Sequence, residues 1–130
     1  MLDLFKPIPI YIKLFINRIE ITRLDSEETI SKNASDKFSN SRLVLADFEN
    51  AQSLLKTMLK NWETKKLIFL RSYNAVIQQM ENPDDGLSQV ERQALAELAE
   101  FSGAGNVIVI EHSRKLTNEK ALSLLYSKNR

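Results

Sequence analysis

The sequence predicts an α/β domain on a mixed sheet. Three observations lead there: an Ile-, Phe- and Tyr-rich stretch near the N-terminus with the period of strands, later stretches with apolar residues three and four apart, and short β-rich apolar runs between those stretches. At 130 residues, the chain has the length of one ordinary domain, expected over 1–130, and is too short for two lobes enclosing a cleft. A composition of 43% hydrophobic and 27% charged residues, with 3 Gly and 3 Pro, is that of a packed core.

The first element is a hairpin. In Pro9 to Leu24, Ile10, Ile12, Leu14 and Ile16 share one period-two face, and Ile19 and Ile21 form a second short run. Asn17 and Arg18 fall at the expected turn, where Asn tolerates a left-handed backbone. Thr29 and Ile30 mark a short third strand at an edge. From Leu43 the spacing becomes helical, with Phe48, Ala51, Leu54, Leu55, Met58, Leu59 and Trp62 on one stripe. Asp47 suits the positive end of that helix, and Lys56 and Lys60 suit the other. Within Lys66 to Met80, the segment AVIQQM makes a better strand than LIFL because a polar cluster stops it cleanly. Ser88 and Glu91 form a capping box, which starts a helix whose expected buried face is Val90, Ala94, Leu95, Leu98 and Ala99. Gly103 and Gly105 end it. The run Val107–Ile110 has the continuous apolarity of a central strand, and Thr117 caps a last helix carrying Ala121, Leu122, Leu125 and Tyr126. Three strands followed by helix, strand, helix, strand, helix predict a five-stranded mixed sheet with helices on both faces, the ribonuclease H-like arrangement also found in the halves of actin-type ATPases.

Two stretches resemble the bacterial actin homologues that set rod shape. LVLADFENAQSLLKTMLKNW, Leu43 to Trp62, is similar to their segment in which Ile-Ala-Asp-Phe opens a helix. GLSQVERQALAELAEFSGAGNVIVIE, Gly86 to Glu111, resembles their Thr-Gln-Val-Glu-Arg-Arg helix, Gly-Ala turn and following strand. The resemblance covers most of this chain but only the first subdomain of that family. It implies a cytoplasmic bacterial protein connected with cell shape. In that family the first hairpin carries an Asp-Leu-Gly-Thr-type phosphate loop, and the matching stretch here is YIKLFINR, with Ile12 and Leu14 where the Asp and Gly would be. A bulky side chain at the glycine position blocks close approach to a phosphate. Glu91 matches the residue that positions the attacking water, the one catalytic position that survives; its capping box with Ser88 suffices to explain it.

Other chemistry is thin. A nuclease of this fold needs carboxylates converging on two metals, one of them from the first strand, which has none. Asp47 is explained by a helix start, and Asp84, Asp85 and Gly86 by a turn. His112 is the single His and has no sequence-near Cys or second His, so a surface position is expected and no metal site. Trp62, Phe69 and Tyr73, flanked by Lys60, Lys65, Lys66 and Arg71, have the mix of a nucleic-acid surface. The balance of 18 basic and 17 acidic residues argues instead for a solvated helix end beside the core. Met1 to Asn17 is interrupted by Pro7, Pro9, Asp3, Lys6 and Lys13, never reaches the roughly 18 apolar residues of a spanning helix, and is expected to be unprocessed. Leu2, Leu4 and Phe5 are expected to pack under the sheet. With no Cys, a thiolate site and a disulfide are excluded. The expectation is a non-catalytic interaction or scaffold module: no cofactor, no metal, no nucleic acid, no stable membrane insertion and no small-molecule substrate, with a protein partner or self-association. The rival is a nucleotide-binding half-site completed by another chain or a homodimer, in which Glu91 keeps its role.

Overall fold

One strand with two apolar faces organises the structure. In β1 (Ile8–Phe15), Ile8, Ile10, Ile12 and Leu14 enter one core and Tyr11 enters another, and all five are buried. Side chains alternate along a strand, so burial of both sets requires cover on both sides of the sheet. The computed structural model describes residues 7–65, 72–81 and 86–127. In it β1 pairs antiparallel with β2 (Arg18–Arg23), and β2 pairs antiparallel with β3 (Thr29–Asn33). On its other side β1 runs parallel to β4 (Tyr73–Gln79), which runs parallel to β5 (Ala104–Ile110). The order across the sheet is β3-β2-β1-β4-β5. At the centre Ile12 stands opposite Ile21 on one side and Ile77 on the other.

Helix α1 (Phe48–Lys65) starts where Asp47 caps it: the Asn50 amide donates to Asp47 Oδ1 at 3.0 Å. Its Ala51, Leu55, Met58, Leu59 and Trp62 share a core with Leu95, Leu98 and Ala99 of α2 (Gln89–Phe101) and the even-numbered face of β1. On the opposite face, Ala121 and Leu125 of α3 (Asn118–Ser127) pack with Tyr11, Val76 and Ile110. Thr117 caps α3, its hydroxyl accepting from the Lys120 amide at 3.0 Å. The element order and the mixed five-stranded sheet are those expected from the sequence. Among the described residues, no helix is long and apolar enough to cross a membrane.

Four expectations are corrected. The apolar run Val107–Ile110 is not central: β5 lies at the sheet edge, and Val107, Ile108 and Val109 are only half-buried. Its apolarity serves two helical layers, with Val107 and Val109 against the first core and Ile108 against the second. Val90 is 77% exposed, because the apolar face of α2 is set by Leu95, Leu98 and Ala99 further along. The tight turn is Ile16-Asn17 and Arg18 already belongs to β2, so Ile16 leaves the core face and is exposed. Of the two glycines after α2, Gly103 takes the positive φ of 122°, packed against the Tyr73 ring, whereas Gly105 lies inside β5. The segment LIFL, Leu2, Leu4, Phe5, Asp84, Asp85 and the basic C-terminal residues lie outside the described residues.

Burial predicts a sharp contrast within α2. Leu95→Ala should cost about 2–5 kcal/mol, the range for a fully buried leucine. Val90→Ala should stay within about 0.5 kcal/mol, and urea unfolding of the two variants measures both.

Candidate functional site

In sheets with parallel strands, ligands bind beyond the carboxyl ends of those strands. That end of this sheet carries the β1–β2 turn, Met80 and Glu81 after β4, Gly86 to Ser88 leading into α2, and Glu111 and His112 after β5. The turn is closed tightly. Asn17 sits at φ 53°, a region Asn tolerates better than most side chains, and its Oδ1 accepts from the amides of both Phe38 and Ser39 at 2.8 Å. Its own amide donates to Ser39 Oγ at 3.0 Å, and its carbonyl accepts from the Ala34 amide at 2.8 Å. The Ile16 amide donates to Glu81 Oε2 at 3.0 Å. A phosphate is held by successive free amides that converge on it. Both amides of this turn are occupied, one of them by a carboxylate that would repel an anion.

The two β1 positions matching the phosphate-loop motif lie inside the core. Ile12 is 1% and Leu14 0% exposed, in mid-strand between β2 and β4. Glu91 acts as a cap: its Oε1 accepts from the Ser88 amide at 2.8 Å, and its amide donates to Ser88 Oγ at 3.1 Å. Next to it Arg92 pairs with Glu111 at 2.6 Å, fastening the start of α2 to the end of β5. His112 also has a structural role. Its Nδ1 accepts from the Arg114 amide at 3.1 Å, and its carbonyl accepts from Gln78 Nε2 at 2.9 Å. Among the described residues, no group of three His, Cys, Asp or Glu side chains is placed to hold a metal ion. Trp62 and Tyr73 are buried in the first core.

On the α3 side lies a buried polar cluster that sequence reasoning missed. The Tyr11 hydroxyl donates to Gln78 Oε1 and accepts from the Leu116 amide at 3.0 Å, while Gln78 Nε2 also donates to the Arg114 carbonyl at 2.8 Å. Thus β1, β4 and the β5–α3 connection are joined by one satisfied network. Beside it Lys13, 2% exposed, donates to Thr22 Oγ1 at 2.9 Å and lies 4.3 Å from the centre of the Tyr11 ring. Burial pushes the Lys13 ammonium down from its ordinary value; Glu20 partly restores it and Lys115 depresses it further. Burial likewise pushes the Tyr11 phenol up, against the opposing pull of the Leu116 amide. The sequence signal was the polar Lys13 and Gln78 inside otherwise apolar strands.

This geometry has counterparts among solved structures. MreB5 of Spiroplasma citri, solved bound to ADP, superposes over 82% of this chain with a TM-score of 0.53 and 18% identity. The ethanolamine utilization protein EutJ from Carboxydothermus hydrogenoformans superposes over 84%, with a TM-score of 0.56 and 14% identity. This chain has the actin-like fold. It spans 38% of the first structure and 42% of the second, well under half of either. No protein-family profile and no curated protein matches the sequence.

The Lys13 environment predicts a pH dependence. Between its depressed folded value and the ordinary lysine value, the unfolded chain holds more protons, so stability rises with pH across that window. The stability of the wild type relative to Lys13→Met should therefore increase as the pH rises toward the ordinary lysine value of about 10.4 in denaturant titrations. Tyr11 acts with the opposite sign only above about pH 10 and is common to both proteins. Asn17→Gly keeps the left-handed backbone but removes the acceptor shared by Phe38 and Ser39. It should cost about 1–3 kcal/mol in the same measurement.

Proposed function

We propose that this chain is a non-catalytic, actin-like interaction or scaffold module, without ATPase activity or a bound nucleotide. The observation that carries the proposal is the closed turn after β1: the Ile16 and Asn17 amides donate to Glu81 and Ser39, so both are already used within the chain. The burial of Ile12 and Leu14 and the capping role of Glu91 support the same reading. Its working context is the bacterial cytoplasm and cell shape, by the resemblance of its Leu43–Trp62 and Gly86–Glu111 segments to rod-shape proteins. Exposed Val90 and Phe101 on α2, the latter packed edge-on to Phe48 at 6.0 Å, supply apolar surface of the kind that binding modules use.

Calorimetric titration with Mg-ATP and Mg-ADP tests this directly on protein whose oligomeric state has been measured by light scattering. No saturable binding is expected up to millimolar nucleotide. Saturable binding that disappears in Glu91→Ala, with the fold intact by circular dichroism, would overturn the proposal and establish a nucleotide half-site.

A further inference from the structure

The two edges of the sheet differ in kind. β3 is short and carries Lys32, one of the devices by which an edge strand avoids pairing with another chain. β5 is longer, and its residues 106–110 carry no charge and end in four β-branched side chains, Val107, Ile108, Val109 and Ile110. Among the described residues β5 is paired on one side only, by β4. The phase of its backbone follows from the hydrogen bonds around β4. The Ile8 amide donates to the Ser72 carbonyl and the Met80 amide to the Leu14 carbonyl, so the even-numbered residues of β4 turn their N–H and C=O groups toward β1. The odd-numbered ones face β5, and the Tyr73 amide accordingly donates to the Gly103 carbonyl. In a parallel pair, a residue whose groups point across the ladder bonds to the neighbours of the residue opposite it, and that opposite residue turns its own groups away. Ala75 stands opposite Val107, and Ile77 opposite Val109. The N–H and C=O groups of Val107 and Val109 therefore face out of the sheet, while the Val107 and Val109 side chains pack against the first core and that of Ile108 against the second. The described residues run unbroken over 86–127, through α2, β5 and α3, and none of them is hydrogen-bonded to these outward groups.

We propose that β5 pairs antiparallel with the β5 of a second copy of this chain, giving a closed two-fold dimer with one sheet running through both copies. The proposal deepens the interaction-module reading, on which it rests, by naming the partner. The strand is complementary to itself. About a two-fold axis at Ile108, Val107 stands opposite Val109 of the second copy and Val109 opposite its Val107, so outward groups meet outward groups and each pair exchanges both backbone bonds. Ile108 then stands opposite its own equivalent in a non-hydrogen-bonded pair, where side chains approach most closely, and Asn106 stands opposite Ile110. Such directly opposed β-branched side chains stabilise a ladder, and no like charges meet within residues 106–110. An axis at Val107 would instead set Val109 against Gly105, the residue skipped in the register of β5 with β4. The choice of a second β5 over other strands of a folded copy follows from closure. β1, β2 and β4 are paired on both sides, which leaves β3 and β5. Pairing β5 with β3 is heterologous and builds an open chain, whereas pairing β5 with β5 is isologous and closes. It leaves only the lysine-bearing β3 edges at the two ends, where further growth is resisted.

The test uses the full chain without nucleotide. Sedimentation velocity from micromolar to millimolar protein should show the 14.9 kDa chain passing to a dimer and to nothing larger. Hydrogen exchange at the Val107 and Val109 amides should be fast in dilute protein and slow in proportion to the dimer fraction. In a mixture of 13C-labelled and unlabelled chains, isotope-filtered spectra should connect the Ile108 Hα of one copy to the Ile108 Hα of the other. Val107→Pro removes an outward N–H that the single chain does not use, at an edge position of the kind that tolerates proline. It should raise the dimer dissociation constant about tenfold or more, because the two-fold axis counts the lost bond twice. Should that variant fail to fold, the exchange and Hα measurements on the wild type decide the matter. The proposal is overturned by a single-chain mass at millimolar protein, or by full protection of both amides already in dilute protein, the result expected when another segment of the same chain covers the edge. It is equally overturned by a dimer that leaves their exchange unchanged, by growth into larger assemblies, or by a folded Val107→Pro that dimerises as well as the wild type. None of these outcomes depends on nucleotide, so failure here is distinguishable from failure of the calorimetric test.

Discussion

Burial of β1 on both faces is the constraint on which the rest depends. A central strand flanked by β2 and β4 has its backbone groups paired on both edges, so its stability is settled by what covers its side chains. Ile10, Ile12 and Leu14 require the α1–α2 layer; Tyr11 requires α3. Two helical layers therefore follow from one strand. Lys13 occupies a second-face position of the same strand, where its ammonium is held by the Thr22 hydroxyl and the Tyr11 ring rather than by water.

The same constraint bears on function. A strand packed this fully cannot open into a glycine loop after its third or fourth residue without emptying part of the core. β1 instead continues to Phe15 and returns through two residues. Asn17 then joins the hairpin to the connection before α1, using its side chain, amide and carbonyl together. The turn is thereby a structural joint. Glu91 also has a structural role, because a carboxylate hydrogen-bonded to the backbone at the start of a helix stabilises that helix whatever else it does.

Fold and candidate site were unequally legible. The helix starts at Asp47, Ser88 and Thr117 could be read because a cap needs only residues within three positions of one another. The burial of Ile12 and Leu14 was also legible, since both lie on the period-two apolar face of the first strand. The occupied turn was not: the partner of the Ile16 amide is Glu81, 65 residues away. The role of Gln78 was hidden for a similar reason, its partners being spread over β1 and the connection after β5.

Sequence alone determined the type and order of the elements and the capping of the helices, because period and short-range hydrogen bonding are local properties. Only the tertiary structure decided which strand is central and which is an edge. The run Val107–Ile110 looks more like a central strand than β3 does, yet both are edges. Strand order is set by crossover connections and by which faces the helices cover, and neither is written in a strand's own residues. The buried lysine, the closed turn and the outward-facing edge of β5 arise in the same way, from residues that meet only when the sheet is assembled.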